Sequence, residues 1–304
     1  MDVSSVLTHD AVTLIRRCGS RPFFVWIHYM DPHEPYNPPE RYRTMEGPWP
    51  LFSPADPHWG GPKFGENITD VPLGANPDAK AAYVRSLYTG EIEYLDSHVA
   101  KLLRTLDDLG LRDNTYIVFT SDHGEELWER GLYGHGHSLY DEQVRVPLIY
   151  AGPGLAPRTV EAPGSAIDIM PTLAELLGVK ADETWHGQSI APILIGREKW
   201  PEGRSCYVQA TNYTAPEPLQ LVVSGAHKLI YGTETQRIEL YSLAEDAEER
   251  YNLAEERPDL AATLRAQLSK WSESFPSRSF VEKLDPSQED ILQQLRAAGY
   301  LGDR

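Results

Sequence analysis

The sequence predicts an α/β protein, with a mixed, mostly parallel sheet between helices and a small C-terminal antiparallel sheet with its own helix. Three observations carry this. Short apolar runs rich in aromatic and β-branched residues, Phe23–Ile27, Tyr116–Phe119 and Val144–Tyr150, read as strands, and a strongly helical stretch precedes the second of them. The first two runs discharge abruptly into Asp and His, at the carboxyl strand edge where open sheets collect ligands. After Gly203 the texture changes to short strand-like runs divided by turns.

Composition sets outer limits. A chain of 304 residues holds one large domain, or a large and a small one, with ample core. The change in texture places the boundary between an α/β domain over 1–202 and a C-terminal subdomain over 203–304. Hydrophobic content of 41% and aromatic content of 10% describe an ordinary soluble globular protein. A net charge of −17 argues against a nucleic-acid-binding surface. An anionic substrate would have to be drawn in locally, by a metal and a few basic groups, against that field. Cys18 and Cys206 neither imply a disulfide nor identify a redox compartment. No apolar run is long enough to span a membrane, and residues 1–20 lack the apolar core of a signal peptide. Neither an internal repeat nor a low-complexity tract is present.

Residues 4–17 read as a modest helix, with Val6, Ala11, Leu14 and Ile15 apolar and Arg16-Arg17 at its C-terminal end. Gly19 and Pro22 stop it. The run Phe23–Ile27 then ends in His28-Tyr29-Met30-Asp31-Pro32-His33-Glu34-Pro35-Tyr36. Residues 37–77 are rich in Pro, Gly and Trp without a sustained period. Such a loop either lies over a pocket or is a surface insertion. From Asp78 the period turns helical, with Tyr88, Ile92, Leu95, Val99, Leu102, Leu106 and Leu109 on one apolar face and Glu91, Glu93 and Asp96 on the solvated side. Gly110 ends the helix.

Tyr116–Phe119 reads as a strand buried on both faces, followed by Ser121-Asp122-His123-Gly124-Glu125. A carboxylate beside an imidazole can hold a divalent metal through one oxygen and one nitrogen ligand. Taken alone, the same residues are also an ordinary polar turn. A second strand end carrying His28, Asp31 and His33 makes the ordinary reading harder to keep. Gly134-His135-Gly136-His137-Ser138-Leu139-Tyr140-Asp141-Glu142 then leads into the third apolar run. A helix is expected over Ala166–Gly178. Strands are expected at Cys206–Gln209, Leu219–Val223, Lys228–Tyr231 and Ile238–Tyr241. Further helices are expected from Pro258 to about Phe275 and over Gln288–Gly299.

The order Asp122-His123-Gly124-Glu125, then His135-Gly136-His137-Ser138-Leu139-Tyr140, then Arg145-Val146-Pro147-Leu148-Ile149 resembles the sulfatase family of the alkaline phosphatase superfamily. Asp168-Ile-Met-Pro171-Thr-Leu173, His186–Pro192, and Leu240-Tyr-Ser-Leu243 with Asp246, Glu249 and Asn252-Leu253 resemble its later segments. The resemblance covers nearly the whole chain from Phe23 onward. It implies an alkaline-phosphatase-like fold and hydrolysis of a small-molecule or glycan sulfate ester. It also implies an active-site metal, usually calcium, with manganese or zinc as alternatives, held by Asp122 and His123. His135 matches the residue that grips the sulfate, and His137 stands close enough to share that assignment. His33 matches the histidine that contacts the sulfate and can protonate the leaving oxygen. His28 is a further candidate for contact with the sulfate.

In the family the nucleophile is the Cys or Ser of Cys-x-Pro-x-Arg or Ser-x-Pro-x-Arg, oxidised to formylglycine. It precedes the strand that begins here at Phe23, as do two more aspartate ligands. Only 22 residues stand before that strand, and Cys18-Gly19-Ser20-Arg21 lacks the proline. The chain therefore reads as the C-terminal two-thirds of the family, with the nucleophile expected outside it. A phosphodiesterase or phosphonate hydrolase on the same fold, and a non-catalytic binding module, are the alternative readings. The sequence leaves the compartment and the oligomeric state open. Three expectations follow: His33, Asp122, His123 and His135 converge at the carboxyl edge of the sheet, the chain alone hydrolyses aryl sulfates negligibly, and its uncovered strand edges favour association.

Overall fold

The computed structural model describes residues 3–34, 36–45, 77–210 and 217–275. The greater part of the loop expected over 37–77 and the helix expected at Gln288–Gly299 lie outside the described residues. The chain divides into two compact units: residues 1–119, 125–134 and 149–155 form the first, and residues 120–124, 135–148 and 156–304 the second.

The first unit opens with helix α1, Val3–Cys18, which buries Ser4, Thr8, Ala11, Val12 and Ile15 at helical spacing. Helix α2, Pro77–Asp108, starts on a proline, whose missing N–H costs nothing in a first turn. Strand β1, Ile117–Thr120, pairs with β4, Leu148–Ala151, while β2, Glu126–Leu127, pairs antiparallel with β3, Tyr133–Gly134. Helices α1 and α2 pack together, and Thr8 stands at their contact. Its hydroxyl donates to the Ser4 carbonyl at 2.7 Å and lies 2.8 Å from His98 Nδ1 on α2 and 2.9 Å from the Tyr29 hydroxyl. Ser4 in turn donates to the Asp31 carboxylate. The stretch that ends in His33 is thereby tied to α1.

Four sequence expectations change here. Phe23–Ile27 is not a strand. Its exposure alternates, with Phe24 at 71% and Trp26 at 76% while Phe23, Val25 and Ile27 are half-buried. The apolar composition marks an extended segment, but composition cannot supply the neighbouring backbone that a ladder requires. β1 is half-buried at Ile117 and Val118 and exposed at Phe119 and Thr120, rather than covered on both faces. The third run starts as a strand only at Leu148, because Val144 belongs to a helical turn and Pro147 has no N–H to donate.

The buried face of α2 is also rotated from the expected one. Ile92 and Leu109 are exposed, whereas Tyr83, Val84, Leu87, Glu91, Tyr94, His98 and Thr105 are buried. Of these, Tyr83, Val84 and Leu87 cluster with Tyr36, whose ring sits edge-on to Tyr88 at 5.3 Å and to Tyr133 at 6.0 Å. Helix α2 also meets the 3₁₀ turn Glu40–Tyr42: a Cβ on Gly90 would come within 2.4 Å of the Tyr42 carbonyl oxygen, so only glycine allows that approach. Glu91, expected in solvent, is 2% exposed and accepts the Asn37 backbone N–H. Burial, with the nearby Asp31 charge adding to it, raises its carboxyl to about 8 against the opposing pull of that hydrogen bond.

The second unit contains α3, Asp141–Val144; α4, Ile169–Leu176; α5, Ala191–Leu194; β5, Ser205–Ala210; β6, Leu219–Ser224; β7, His227–Gly232; β8, Ile238–Ser242; and α6, Pro258–Glu273. Strands β5 to β8 form an antiparallel sheet in chain order, with Leu221 opposite Ile230 and Leu229 opposite Leu240. This matches the four short runs read from the sequence. Val222, Leu229, Tyr231 and Leu240 bury one face against Ala261, Leu264 and Leu268 of α6. Leu219, Leu221, Ile230 and Tyr241 cover Leu139 with the other. Alternate strand residues thus serve two cores. On that second side Lys228 is fully buried, its Nζ 2.7 Å from Glu249 and 2.8 Å from Asp141. Glu249 also accepts the Asp141 backbone N–H at 2.7 Å. Burial pushes the Glu249 carboxyl up, and Lys228 pulls it back.

Two measurements test these packing arguments. Lys228→Ala should destabilise the chain by roughly 3–5 kcal/mol in urea unfolding, because it strands buried carboxylates. A loss below ~1 kcal/mol, the usual size for an exposed pair, would refute the burial. For Glu91, the folded carboxyl keeps its proton up to about 8, while the unfolded one releases it near its ordinary 4.5. Its stabilising contribution is therefore complete below the lower value and is lost as pH rises through the upper, by about 1.4 kcal/mol per pH unit between them. Glu91→Gln should flatten that slope, and parallel wild-type and variant curves would refute it.

Candidate functional site

In the second unit, Ser121–Gly124 leaves β1 as a turn closed by its own side chains. Ser121 Oγ donates to the His123 carbonyl at 2.8 Å, and the His123 N–H donates to Asp122 Oδ1 at 3.0 Å. The His123 ring places Nδ1 3.0 Å from the Gly124 carbonyl. A carbonyl only accepts, so Nδ1 carries the proton and the Nε2 lone pair points elsewhere, as it does in metal-binding histidines. Nε2 lies 3.8 Å from Asp122 Oδ2. A cation bound at ordinary ligand distances from both atoms would see them roughly 110° apart, a normal angle between neighbouring ligands. Asp122 is exposed and His123 half-buried. This donor pair fits a divalent cation.

His135 joins this pair. Its ring stacks on His123 with centroids 3.9 Å apart at 28°. His137, two residues on, is 7% exposed, and its Nε2 is 2.7 Å from the Gln143 amide nitrogen, which also donates to Ser138 Oγ at 2.7 Å. The sequence could not separate these two histidines, and the geometry gives them different surroundings. Gln143 also receives the Gly124 N–H on its backbone carbonyl at 2.8 Å. A Cβ at Gly124 would lie 2.2 Å from the Glu142 carbonyl oxygen, so the two turns approach at glycine distance. Gln143 therefore joins the Asp122 turn to the His135 segment. The sequence reading missed it, since a glutamine in a four-residue helix carries no periodic signal. Tyr140 anchors the same segment to β8 by donating to Glu239 at 2.8 Å.

His33 belongs to the first unit, half-buried, with Nδ1 2.7 Å from the Glu34 carbonyl oxygen. Its ring is thus set like that of His123, with Nε2 directed away from the backbone. Ligand-type atoms of His33 and of Glu125, which is 9% exposed, lie within 4.8 Å of one another. His28 is exposed. The carboxylates of Glu34 and Glu125 add to burial in raising the phenols of Tyr36 and Tyr133 well above their ordinary range. Glu91, on α2, holds the Asn37 N–H just after His33 and is the second residue that sequence reading missed. Its helical spacing from Leu87, Tyr94 and His98 was the available signal.

One Ser-x-Pro-x-Arg string does occur in the chain, at Ser274–Arg278. Ser274 is the exposed residue closing α6, and its hydroxyl donates to the Trp271 carbonyl at 2.6 Å. It follows the histidine motifs instead of preceding Phe23, so its position is not that of the family nucleophile.

Among the described residues no helix is long and apolar enough to cross a membrane. The family model for sulfatases matches residues 3–179, and that for the C-terminal part of N-sulphoglucosamine sulphohydrolase matches residues 129–274. A choline-sulfatase of Rhizobium meliloti is 32% identical over 250 residues, which are 77% of this chain and 47% of the relative. A solved complex of a protein with its substrate D-glucosamine-2-N,6-O-disulfate superposes with a TM-score of 0.72 at 20% identity, covering 92% of this chain and 71% of the other. A phosphonate monoester hydrolase from Silicibacter pomeroyi gives 0.73 at 22%, covering 92% and 62%. The chain spans about half the length of the curated relatives it matches. The sulfatase match covers more than half of the chain and takes in every histidine and carboxylate of the candidate site, and on that evidence the chain belongs to the sulfatase family.

Proposed function

We propose that the chain carries the metal-binding and sulfate-binding part of a sulfuric ester hydrolase acting on small-molecule or glycan sulfate esters. The observation that carries this is His123, with Nδ1–H on the Gly124 carbonyl, Nε2 3.8 Å from Asp122 and His135 stacked on its ring. Asp122 and His123 would hold a divalent cation, calcium in the first instance, which supplies Lewis-acid polarisation of the sulfate oxygens when bound. His135 stands at the edge of that pair, where an imidazole N–H can donate to a sulfate oxygen. Its stacking on His123, against the Gln143 bond that engages buried His137, favours His135 for that role. His33 keeps Nδ1–H on the Glu34 carbonyl, so when its ring is doubly protonated the Nε2 proton is the one it would give to the departing alcohol, leaving the neutral Nδ1–H imidazole. The formylglycine nucleophile of the family is expected from residues beyond these 304. Choline-sulfatase among the relatives supports sulfate esters over phosphonates, for which the fold alone speaks.

Calcium titration followed by calorimetry tests the metal assignment. Asp122→Asn and His123→Ala should each weaken binding at least about tenfold, the range over which metal sites respond to a damaged shell. Calcium binding unchanged in both would remove the assignment.

The chain alone should leave 4-nitrophenyl sulfate at the uncatalysed rate. Joined to a family segment bearing the nucleophile, it should turn over, and His33→Ala should then cost roughly 10²–10⁴-fold. Faster cleavage of phosphonate esters than of sulfates by that assembly would transfer the reading to the phosphonate class.

A further inference from the structure

The groove between α1 and α2 takes no part in the chemistry above. His9, Thr13 and Arg16 line it from α1, and Lys101, Arg104 and Asp108 from α2, around a cavity of about 260 Å³. Each set is spaced three or four residues apart, so each occupies one side of its helix. Val12 and Thr105, both buried, form the floor. The six side chains above them are exposed, which gives a packed base and a wet, charged rim.

Three cations here face the single carboxylate of Asp108. Among the described residues, none of Arg16, Lys101 and Arg104 forms an ion pair within 4.0 Å. In a chain with 45 acidic and 28 basic residues, three unpaired cations on one cavity are a local reversal of the overall field. The helix dipole accounts for Arg16, in the last turn of α1. It does not account for Lys101 and Arg104, because the last turn of α2 contains no basic residue. The two guanidinium groups present forked donors suited to a tetrahedral oxyanion, and Thr13 and His9 add further hydrogen-bonding groups.

We propose that this groove is a second anion site, which takes the sulfate or phosphate group of a small ligand. It shares no residue with Asp122, His123, His135 or His33. Its occupancy therefore does not depend on the hydrolase reading.

The test is nuclear magnetic resonance of the 304-residue chain carrying ¹⁵N-labelled arginine. Sodium sulfate and sodium phosphate are titrated in separate arms at constant ionic strength, made up with chloride. The Arg16 and Arg104 Nε–H signals should shift saturably, with affinity on the order of millimolar. The double substitution Arg16→Gln with Arg104→Gln should weaken binding at least about tenfold, consistent with losing charge-assisted hydrogen bonds, and leave the melting temperature unchanged. His135→Ala should leave binding intact. Tighter saturation by sulfate would assign the site to sulfate esters and tighter saturation by phosphate to phosphate esters, and either result supports an oxyanion site. Shifts that grow linearly and equally with chloride, or saturation untouched by the double substitution, would overturn it.

Discussion

Lys228 is a fully buried cation, and the segment bearing His135 is held by what that cation requires. An ammonium group taken out of water is tolerated only when carboxylates surround it with good geometry. Glu249 and Asp141 meet that demand at 2.7 and 2.8 Å. Glu249 also takes the Asp141 N–H, so the first turn of α3 is fixed through both side chain and backbone. From there the constraint passes along α3 to Gln143, then to His137 through its amide and to Gly124 through its carbonyl. Lys228 of the C-terminal sheet, with Glu249, thereby braces a segment over a hundred residues earlier in the chain.

The candidate residues are held by backbone carbonyls more than by one another. His123 and His33 each rest Nδ1 on the carbonyl of the next residue, which places a proton on Nδ1 in both rings. Glu91 plays the complementary part in the first unit. It fixes Asn37 just beyond the His33 turn, at the cost of burying a carboxyl whose affinity for its proton rises accordingly.

The sequence by itself determined the elements whose signal is local. The four strands of the C-terminal sheet, α1, α2 and α6 were legible because period and stop residues lie within each segment. Asp122, His123, His135 and His33 could be named as candidates because their residue types and order carry the family resemblance. Tertiary structure decided what depends on neighbours. Phe23–Ile27 has the composition of a strand, but no ladder forms there. Glu91 has the character of a surface residue, but the approach of Asn37 and Tyr42 buries its face of α2. His135 and His137 are two residues apart with the same side chain. The buried Gln143 amide engages one, and the His123 ring stacks on the other, through contacts that no local pattern encodes.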